Sequence, residues 1–442
     1  MLFGTAGIRG DLTRITPQFA LTLGKSVAVF CRGRGLSSVV VGRDGRTSSD
    51  MLSEAVIGGV LSQKVEVEDV GRVPTPVLAF ASEQGGIMVT ASHNPPDNNG
   101  LKVFLNHREL YPGEEKEIEE MVNGQFSTSW DVPARRKSDV LPLYEHAVLH
   151  YVQKECGTPR RKKVVLDCGN GMGALITPHL LTHLGCEVTT LFPEITGRFE
   201  RPSEPSEKNI SQLKKRVVRE KADIGFAQDG DADRINVVTE EGEIIPEDSI
   251  IALLAGYYVK KGETVVTSIN TSFRIDEYVE KKGGHTKRVM LGNLHEGVSK
   301  YEAVFAGEPW KHIHCRFGRW IDGMVSAAVL VHLIRDRKAS ELCSEINSYP
   351  MEKINLQTEN RTELLALFKE HLKTFTDIKE CITVSGIRAN FEDGSWILVR
   401  PSGTEPKVRI IIEGVTPRRF ALLKNFVFET LNESKSLYSI VN

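Results

Sequence analysis

Apolar and polar positions along the chain follow two alternating periods. Short runs rich in Val and Ile are repeatedly followed by stretches in which apolar residues return every three or four positions. The first pattern predicts buried strands and the second amphipathic helices, so their alternation predicts βαβ units around a sheet. Three repeats look alike. SSVVVGRD (37–44) precedes a predicted helix near 48–62, KKVVLDCGN (162–170) one near 173–185, and ETVVTSIN (263–270) one near 273–282. In each, a Val-rich strand ends in Asp or Asn just before a helix can start. This places polar groups at the carboxyl edge, where open α/β sheets bind ligands.

Breaks in the pattern divide the chain. WDVPARRKSDVLP (130–142) is polar and rich in breakers and reads as a link. A turn-rich stretch at EGEIIPEDS (241–249) precedes the apolar helix IIALLAGYYV, and SYPMEKIN closes a third unit near 350–360. A helix near 362–374, strands near 381–398 and a helix near 417–432 then predict a smaller α+β unit. The fold expected is α/β: three similar α/β domains with mixed sheets (1–140, 141–245 and 246–352) followed by an α+β C-terminal domain (353–442). The length of 442 residues suits several domains.

Composition narrows the class. The chain is 40% hydrophobic and 26% charged, close to ordinary globular usage, and 56 Lys and Arg face 58 Asp and Glu. A net charge of -2 gives no basic field to hold a phosphate backbone, so nucleic acid is not expected as a partner. Seven Cys are scattered without a CxxC pair, as in a reduced cytosolic protein. The opening MLFGTAGIRG lacks the features of a secretory signal, and no apolar run is long enough to span a membrane. The expectation is a soluble cytoplasmic protein without a membrane partner.

Four segments carry candidate chemistry. In GGIMVTASHNPPDNNGLKVF (85–104), the strand from Ile87 to Thr90 delivers Ser92 and His93 onto a loop whose Pro, Asn and Gly residues prevent a helix. Ser92 is expected at a strand edge, exposed for chemistry. The hydroxyl needs a base or cation to act as a nucleophile, and a turn that merely satisfies backbone groups is the competing reading. In DIGFAQDGDADRINVV (223–238), Asp229, Asp231 and Asp233 crowd one loop, and a hard divalent cation relieves such repulsion. An EF-hand is excluded by Arg234 where Gly is required, by Asn236 where an apolar residue is expected, and by flanking strands. Arg234 is expected to clamp an anion or lock a carboxylate; a solvated acidic turn is the alternative to metal binding.

In RPSGTEPKVRIIIEG (400–414), Arg400, Ser402, Gly403, Thr404, Lys407 and Arg409 combine cations, hydroxyls and backbone N–H groups suited to a phosphate, without P-loop spacing. An ordinary polar turn is the alternative. In FAGEPWKHIHCRFGRWIDGM (305–324), Glu308, Trp310, Lys311, His312 and His314 can hydrogen-bond or stack on a sugar, whereas HxH lacks common zinc spacing.

Together these segments resemble the α-D-phosphohexomutase superfamily, the phosphoglucomutase and phosphomannomutase enzymes, over essentially the whole length and in the same order. FGTAGIRG (3–10), VGRDGRTSS (41–49), VPTP (73–76), TASHNP, DGDADR, GEPWKH and RPSGTEPKVRI carry the resemblance. It implies an isomerase that is an intramolecular phosphotransferase, interconverting hexose 1-phosphate and 6-phosphate of glucose or mannose. The carrier would be phosphorylated Ser92, with a bound hexose 1,6-bisphosphate as intermediate and activator. Mg²⁺ would be held by Asp229, Asp231, Asp233 and the phosphoserine of Ser92. Arg9, His93, Lys102 and Arg234 would surround the transferred group, with Lys102 or His93 moving a proton. Glu308, Trp310 and His312 would meet the sugar, and Arg400, Ser402, Gly403, Thr404 and Arg409 the phosphate that is not reacting. The family usually reads GE, a variable residue, then SGH. Here Trp310 and Lys311 replace Ser and Gly, which leaves phosphoglucosamine mutase as an alternative, ahead of a sugar phosphatase or a non-catalytic sugar-phosphate binder. The resemblance leaves the oligomeric state open.

Overall fold

The structure is a computed structural model, which describes residues 2–4, 7–127, 131–157, 161–383, 386–402, 406–433 and 438–441. Val-rich runs form the centre of each of the first three sheets, because strands buried on both faces tolerate no polar alternation. In the first sheet the order is Ile8–Asp11, Asn98–Leu105, Gly85–Val89, Ser38–Arg43, Glu66–Arg72 and Arg135–Lys137, with Arg108–Glu109 beside Asn98–Leu105. The central strands run parallel and the strand Asn98–Leu105 antiparallel, so this sheet is mixed. The segment expected as a link therefore contributes an edge strand. Its Arg-Arg-Lys sequence carries no apolar signal, and charge suits an edge exposed to solvent.

The second sheet is ordered Ile235–Thr239, Ile224–Gln228, Lys163–Asp167, Glu187–Leu191, and the third His285–Val289, Thr264–Ser268, Phe305–Glu308, Lys311–Ile313. Both mix parallel and antiparallel pairs. Helices Ser49–Leu61 and Phe273–Lys281 follow their strands as the periodicity predicts. The helix expected near 173–185 is instead a 3₁₀ turn, Met172–Leu175, followed by the helix Thr177–His183 with Pro178 in its first turn. Proline fits only the first turn of a helix, so it sets the start. The fourth sheet is antiparallel, ordered Ile378–Ile382, Ile387–Phe391, Trp396–Pro401, Lys407–Glu413, Met351–Gln357 and Ser439–Val441.

Apolar packing separates the first three domains from the fourth. One core runs from Leu78 and Met88 through Tyr144 and Phe226 to Leu253 and Val325, so three sheets share one interior. The C-terminal domain packs its own core around Leu356, Phe368, Ile397 and Val427. It joins the third domain through a small cluster of Ile269, Trp396, Leu398 and Ile411. Polar contacts fix this joint: the buried Arg388 guanidinium donates to the Thr271 carbonyl at 3.0 Å, and the Phe273 amide donates to Glu413 Oε1 at 2.8 Å. Among the described residues, no helix is long and apolar enough to cross a membrane.

Candidate functional site

Two loops that lie far apart in sequence meet at Ser92. The strand Gly85–Val89 ends in Thr90, Ala91 and Ser92, and Ser92 takes a left-handed φ of 50°. That conformation is disfavoured for a side chain with a Cβ and persists only where neighbours enforce it. Arg46 supplies much of the enforcement, using every N–H of a buried guanidinium. Its Nη2 donates to the carbonyls of Ser92 and Asn94, each at 2.8 Å. Nη1 donates to the carbonyls of Pro95 at 2.5 Å and Asn98 at 2.9 Å, and Nε donates to Asp44 at 3.0 Å.

From the other side, Gly230 lies against the Ser92 carbonyl; a Cβ there would come within 2.7 Å of that oxygen. Glycine between the first two Asp residues is what lets the loops touch. Ser203 Oγ accepts the Gly230 amide at 2.8 Å and donates to the Ser92 carbonyl at 3.3 Å. Arg201 holds the base of this loop through Asp167 and the Gln228 carbonyl.

The seryl oxygen donates to Asp229 Oδ2 at 2.7 Å. Contrary to the exposed position expected, Ser92 is fully buried, because Asp229 and His93 cover it. Asp229, Asp231 and Asp233 are buried, and one oxygen of each lies within 4.8 Å of the others. Asp231 Oδ2 accepts from Thr75 Oγ1 at 2.6 Å and Lys102 Nζ at 2.8 Å, and Asp233 Oδ2 accepts from Lys102 Nζ at 2.5 Å. The remaining oxygens, Asp231 Oδ1 and Asp233 Oδ1, are buried and have no partner among the described residues. Three gathered carboxylates with uncommitted oxygens fit a hard divalent cation such as Mg²⁺, which takes oxygen ligands.

Electrostatics agree with that fit. Burial, then repulsion from Asp233 and Asp231, pushes the Asp229 carboxyl far above the usual carboxylate range. Burial alone would raise Asp231 as well, but Lys102, Thr75 and Arg9 outweigh it and hold it below its ordinary value. For Lys102, burial opposes charge, yet Asp231 and Asp233 keep the ammonium protonated well beyond its usual range. In this arrangement the Lys102 ammonium donates to both carboxylates. Burial, then Arg234, Arg9 and Lys311, pushes the His93 imidazole far below its ordinary value. It lies 3.4 Å from Ser92 Oγ and 3.3 Å from Arg9 Nη1. Arg9 keeps Nε and Nη2 buried without partners among the described residues. Arg234 acts as a lock on carboxylates: its amide donates to Asp229 Oδ1 at 3.1 Å and its guanidinium to Glu204 at 2.9 Å.

The predicted sugar loop is a hairpin in which Glu308 pairs with Lys311 across the two-residue turn Pro309–Trp310. Pro309 fixes a negative φ, so the left-handed position falls on Trp310, at 67°. Glu308 meets Lys311 Nζ at 3.3 Å and accepts the Gly292 amide at 3.2 Å. The Trp310 ring lies 5.8 Å from the Arg234 guanidinium, and its buried N–H has no partner among the described residues. His312, expected to face the sugar, is fully buried behind the hairpin; Nδ1 meets Ser326 Oγ at 3.0 Å and Nε2 has no partner among the described residues. His314 shares the same serine from the same strand face, at 2.8 Å. Burial lowers the His312 imidazole to about 3.

Trp310 also lines a cleft of about 360 Å³ between the third and fourth domains, together with Arg400, Arg409, Lys353, Asn355 and Asn270. Sheet register gathers the cations, because Asn355, Arg409 and Arg400 are direct cross-strand neighbours on three adjacent strands. Burial, then the adjacent Arg409, lowers Arg400. Ser402 is buried at the end of its strand, with its carbonyl accepting from Arg361 at 3.0 Å. Gly403 and Thr404 lie outside the described residues. Sequence reasoning gives no role to Arg46, Thr75, Arg201, Ser203, Lys353 or Asn355. Of these, Arg46 lies in VGRDGRTSS and Thr75 in VPTP, two of the segments that carry the family resemblance.

Comparison with known proteins matches this arrangement. The family descriptions Phosphoglucomutase/phosphomannomutase, alpha/beta/alpha domains I, II and III, fit residues 1–128, 142–242 and 246–349, and the C-terminal domain of the same family fits residues 354–430. A phosphopentomutase of Thermococcus kodakarensis is 43% identical over 98% of both chains. A probable phosphoglucosamine mutase of Methanobrevibacter smithii is 37% identical over 98% of this chain and 99% of the other. The crystal structure of a phosphoglucomutase/phosphomannomutase family protein from Burkholderia thailandensis superposes with a TM-score of 0.87 at 27% identity, covering 99% of this chain and 98% of the other.

Proposed function

The chain belongs to the phosphoglucomutase/phosphomannomutase family of phosphotransferring isomerases, and from that premise we propose that it moves a phosphoryl group between the C1 oxygen and the terminal oxygen of an aldose phosphate. The observation that carries this reading is the buried Ser92 hydroxyl, 2.7 Å from Asp229 at the edge of a three-carboxylate cluster. A phosphoryl group on Ser92 Oγ passes to the free hydroxyl of a sugar monophosphate. The Oγ–P bond breaks, the hydroxyl oxygen bonds to phosphorus, and its proton passes to a neighbouring group; His93 lies 3.4 Å from Ser92 Oγ. The sugar bisphosphate reverses in the site, and its other phosphate returns to Ser92.

Little covalent work falls to the protein in such a transfer, because phosphoryl transfer depends chiefly on positioning and charge. Lys102 and Arg9 bring donors to the transferred group, and Arg234 keeps Asp229 in place. Asp229, Asp231, Asp233 and a phosphoseryl oxygen would hold Mg²⁺, which offsets charge on the donor. Arg400 and Arg409 would grip the phosphate that is not reacting, in either orientation of the sugar.

A five-carbon sugar is the substrate class we favour. The phosphopentomutase relative supports it, as does a sugar hairpin built from the bulky side chains of Trp310 and Lys311. Glucose and mannose phosphates, expected from the sequence, and glucosamine phosphate are the competitors. Phosphorus NMR of the enzyme with Mg²⁺, a trace of sugar bisphosphate and each 1-phosphate in turn tests the reading. Appearance of the terminal phosphate supports a mutase, release of inorganic phosphate a phosphatase, and no change a binding protein.

A further inference from the structure

We propose that Lys311 is a specificity-determining residue, which fills the sugar side of the site beside Glu308 and thereby favours a five-carbon over a six-carbon sugar phosphate; this rests on the mutase reading above. The hairpin fixes where Lys311 stands. It is the paired residue of Glu308, so the two side chains leave the same face of the strand pair, and their charged atoms are 3.3 Å apart. Lys311 is only 5% exposed, which means that its four-carbon stem occupies interior volume rather than solvent. Its backbone bridges to Arg234, next to the three-carboxylate loop, so this volume lies at the junction of sugar and phosphoryl sites.

Lys311 also changes what Glu308 can offer. An ionised carboxylate accepts through two oxygens. Here Oε1 is ion-paired with Lys311 Nζ and Oε2 accepts the Gly292 amide, so both already have a partner. A sugar reaching this carboxylate competes with an ammonium that cannot leave without stranding a buried charge. The ammonium, ion-paired with Glu308, carries three N–H donors that can meet sugar hydroxyls as acceptors. The turn is held rigidly enough to discriminate. Trp310 keeps a left-handed φ of 67° and lines the cleft shared with Arg400 and Arg409, so relaxation of the hairpin would disturb both walls. Fixed bulk at that junction selects by the size of the sugar, which differs between a pentose and a hexose by one carbon and its hydroxyl.

The test is kcat and KM of wild type, Lys311→Gly and Lys311→Met with ribose 1-phosphate and with glucose 1-phosphate. Wild type is expected to favour ribose. Lys311→Gly is expected to shift the ratio of kcat/KM toward glucose by about 10- to 200-fold, the range set by one carbon in a fitted pocket. The shift should lie mainly in KM. Lys311→Met keeps most of the volume and removes the charge, so a smaller shift in the same direction is expected. It decides the matter if Lys311→Gly fails to fold. A wild-type preference for glucose, or a ratio that does not move in the folded variants, overturns the role of Lys311 while leaving the mutase intact. Transfer to none of ribose, glucose, mannose and glucosamine 1-phosphates by wild type overturns the mutase reading itself.

Discussion

The wall around Ser92 and the wall around Arg400 are held in different ways. Ser92, Lys102, Asp229, Asp231 and Asp233 are almost completely buried, and each is tied to others by short hydrogen bonds. Their loops come from the first two domains, which share one apolar core with the third. Arg400 is half-buried and Arg409 exposed, on an antiparallel sheet with a core of its own and a small apolar joint to the rest. Bond making and breaking tolerates little displacement, so its groups sit in a rigid interior. A clamp that must accept either phosphate of one sugar needs charge and room more than precision. The contrast predicts that damage to the first wall appears in kcat or in stability, and damage to the second in KM.

Ser92→Ala strikes the first wall at its reacting atom. Turnover should fall by roughly 10⁴-fold or more, while the melting temperature stays near that of wild type. Substantial residual activity would break the comparison, because the rigid wall would then not be where the chemistry lies. Arg46→Met removes the clamp and leaves Asp44 buried without its cation. Unfolding free energy should drop by about 3–5 kcal/mol, measured by urea denaturation. A small loss would mean that the left-handed Ser92 loop holds itself.

The second wall should respond more gently. Arg409→Ala is expected to raise KM by about 10- to 150-fold, from roughly 1.5–3 kcal/mol of charged hydrogen bonding, with kcat little changed. A fall in kcat without a rise in KM would place Arg409 in the chemistry. Trp310→Gly sharpens the comparison at the boundary between the walls. Glycine relieves about 1 kcal/mol of backbone strain at this left-handed position, so thermal stability should hold or rise while sugar-phosphate binding weakens. A lower melting temperature with unchanged KM would make Trp310 a packing residue.

Much of the first wall is legible in the sequence. An apolar strand that runs into TASHNP cannot continue as helix, and three Asp residues at alternate positions demand an explanation in charge. Joining them is another matter: Ser92 and Asp229 are 137 positions apart, and the resemblance to a family links them where periodicity does not. Arg46 escapes because its five partners are mostly backbone carbonyls of a distant loop, which leave no mark on side-chain pattern. The surroundings of His312 are not legible either. Alternation along a strand places it on the face of His314, which meets the same Ser326, and opposite to Lys311. The strand Arg135–Lys137 is invisible because edge pairing needs only backbone groups.

The most direct measurement is of the phosphoenzyme itself. Wild type is incubated with a sugar 1-phosphate and its bisphosphate, and peptide mass spectrometry then locates phosphoryl groups before and after an excess of monophosphate is added. One phosphoryl group on Ser92, discharged into sugar bisphosphate as terminal phosphate accumulates, is the predicted result. An isomerising enzyme whose Ser92 never carries phosphate would contradict the account.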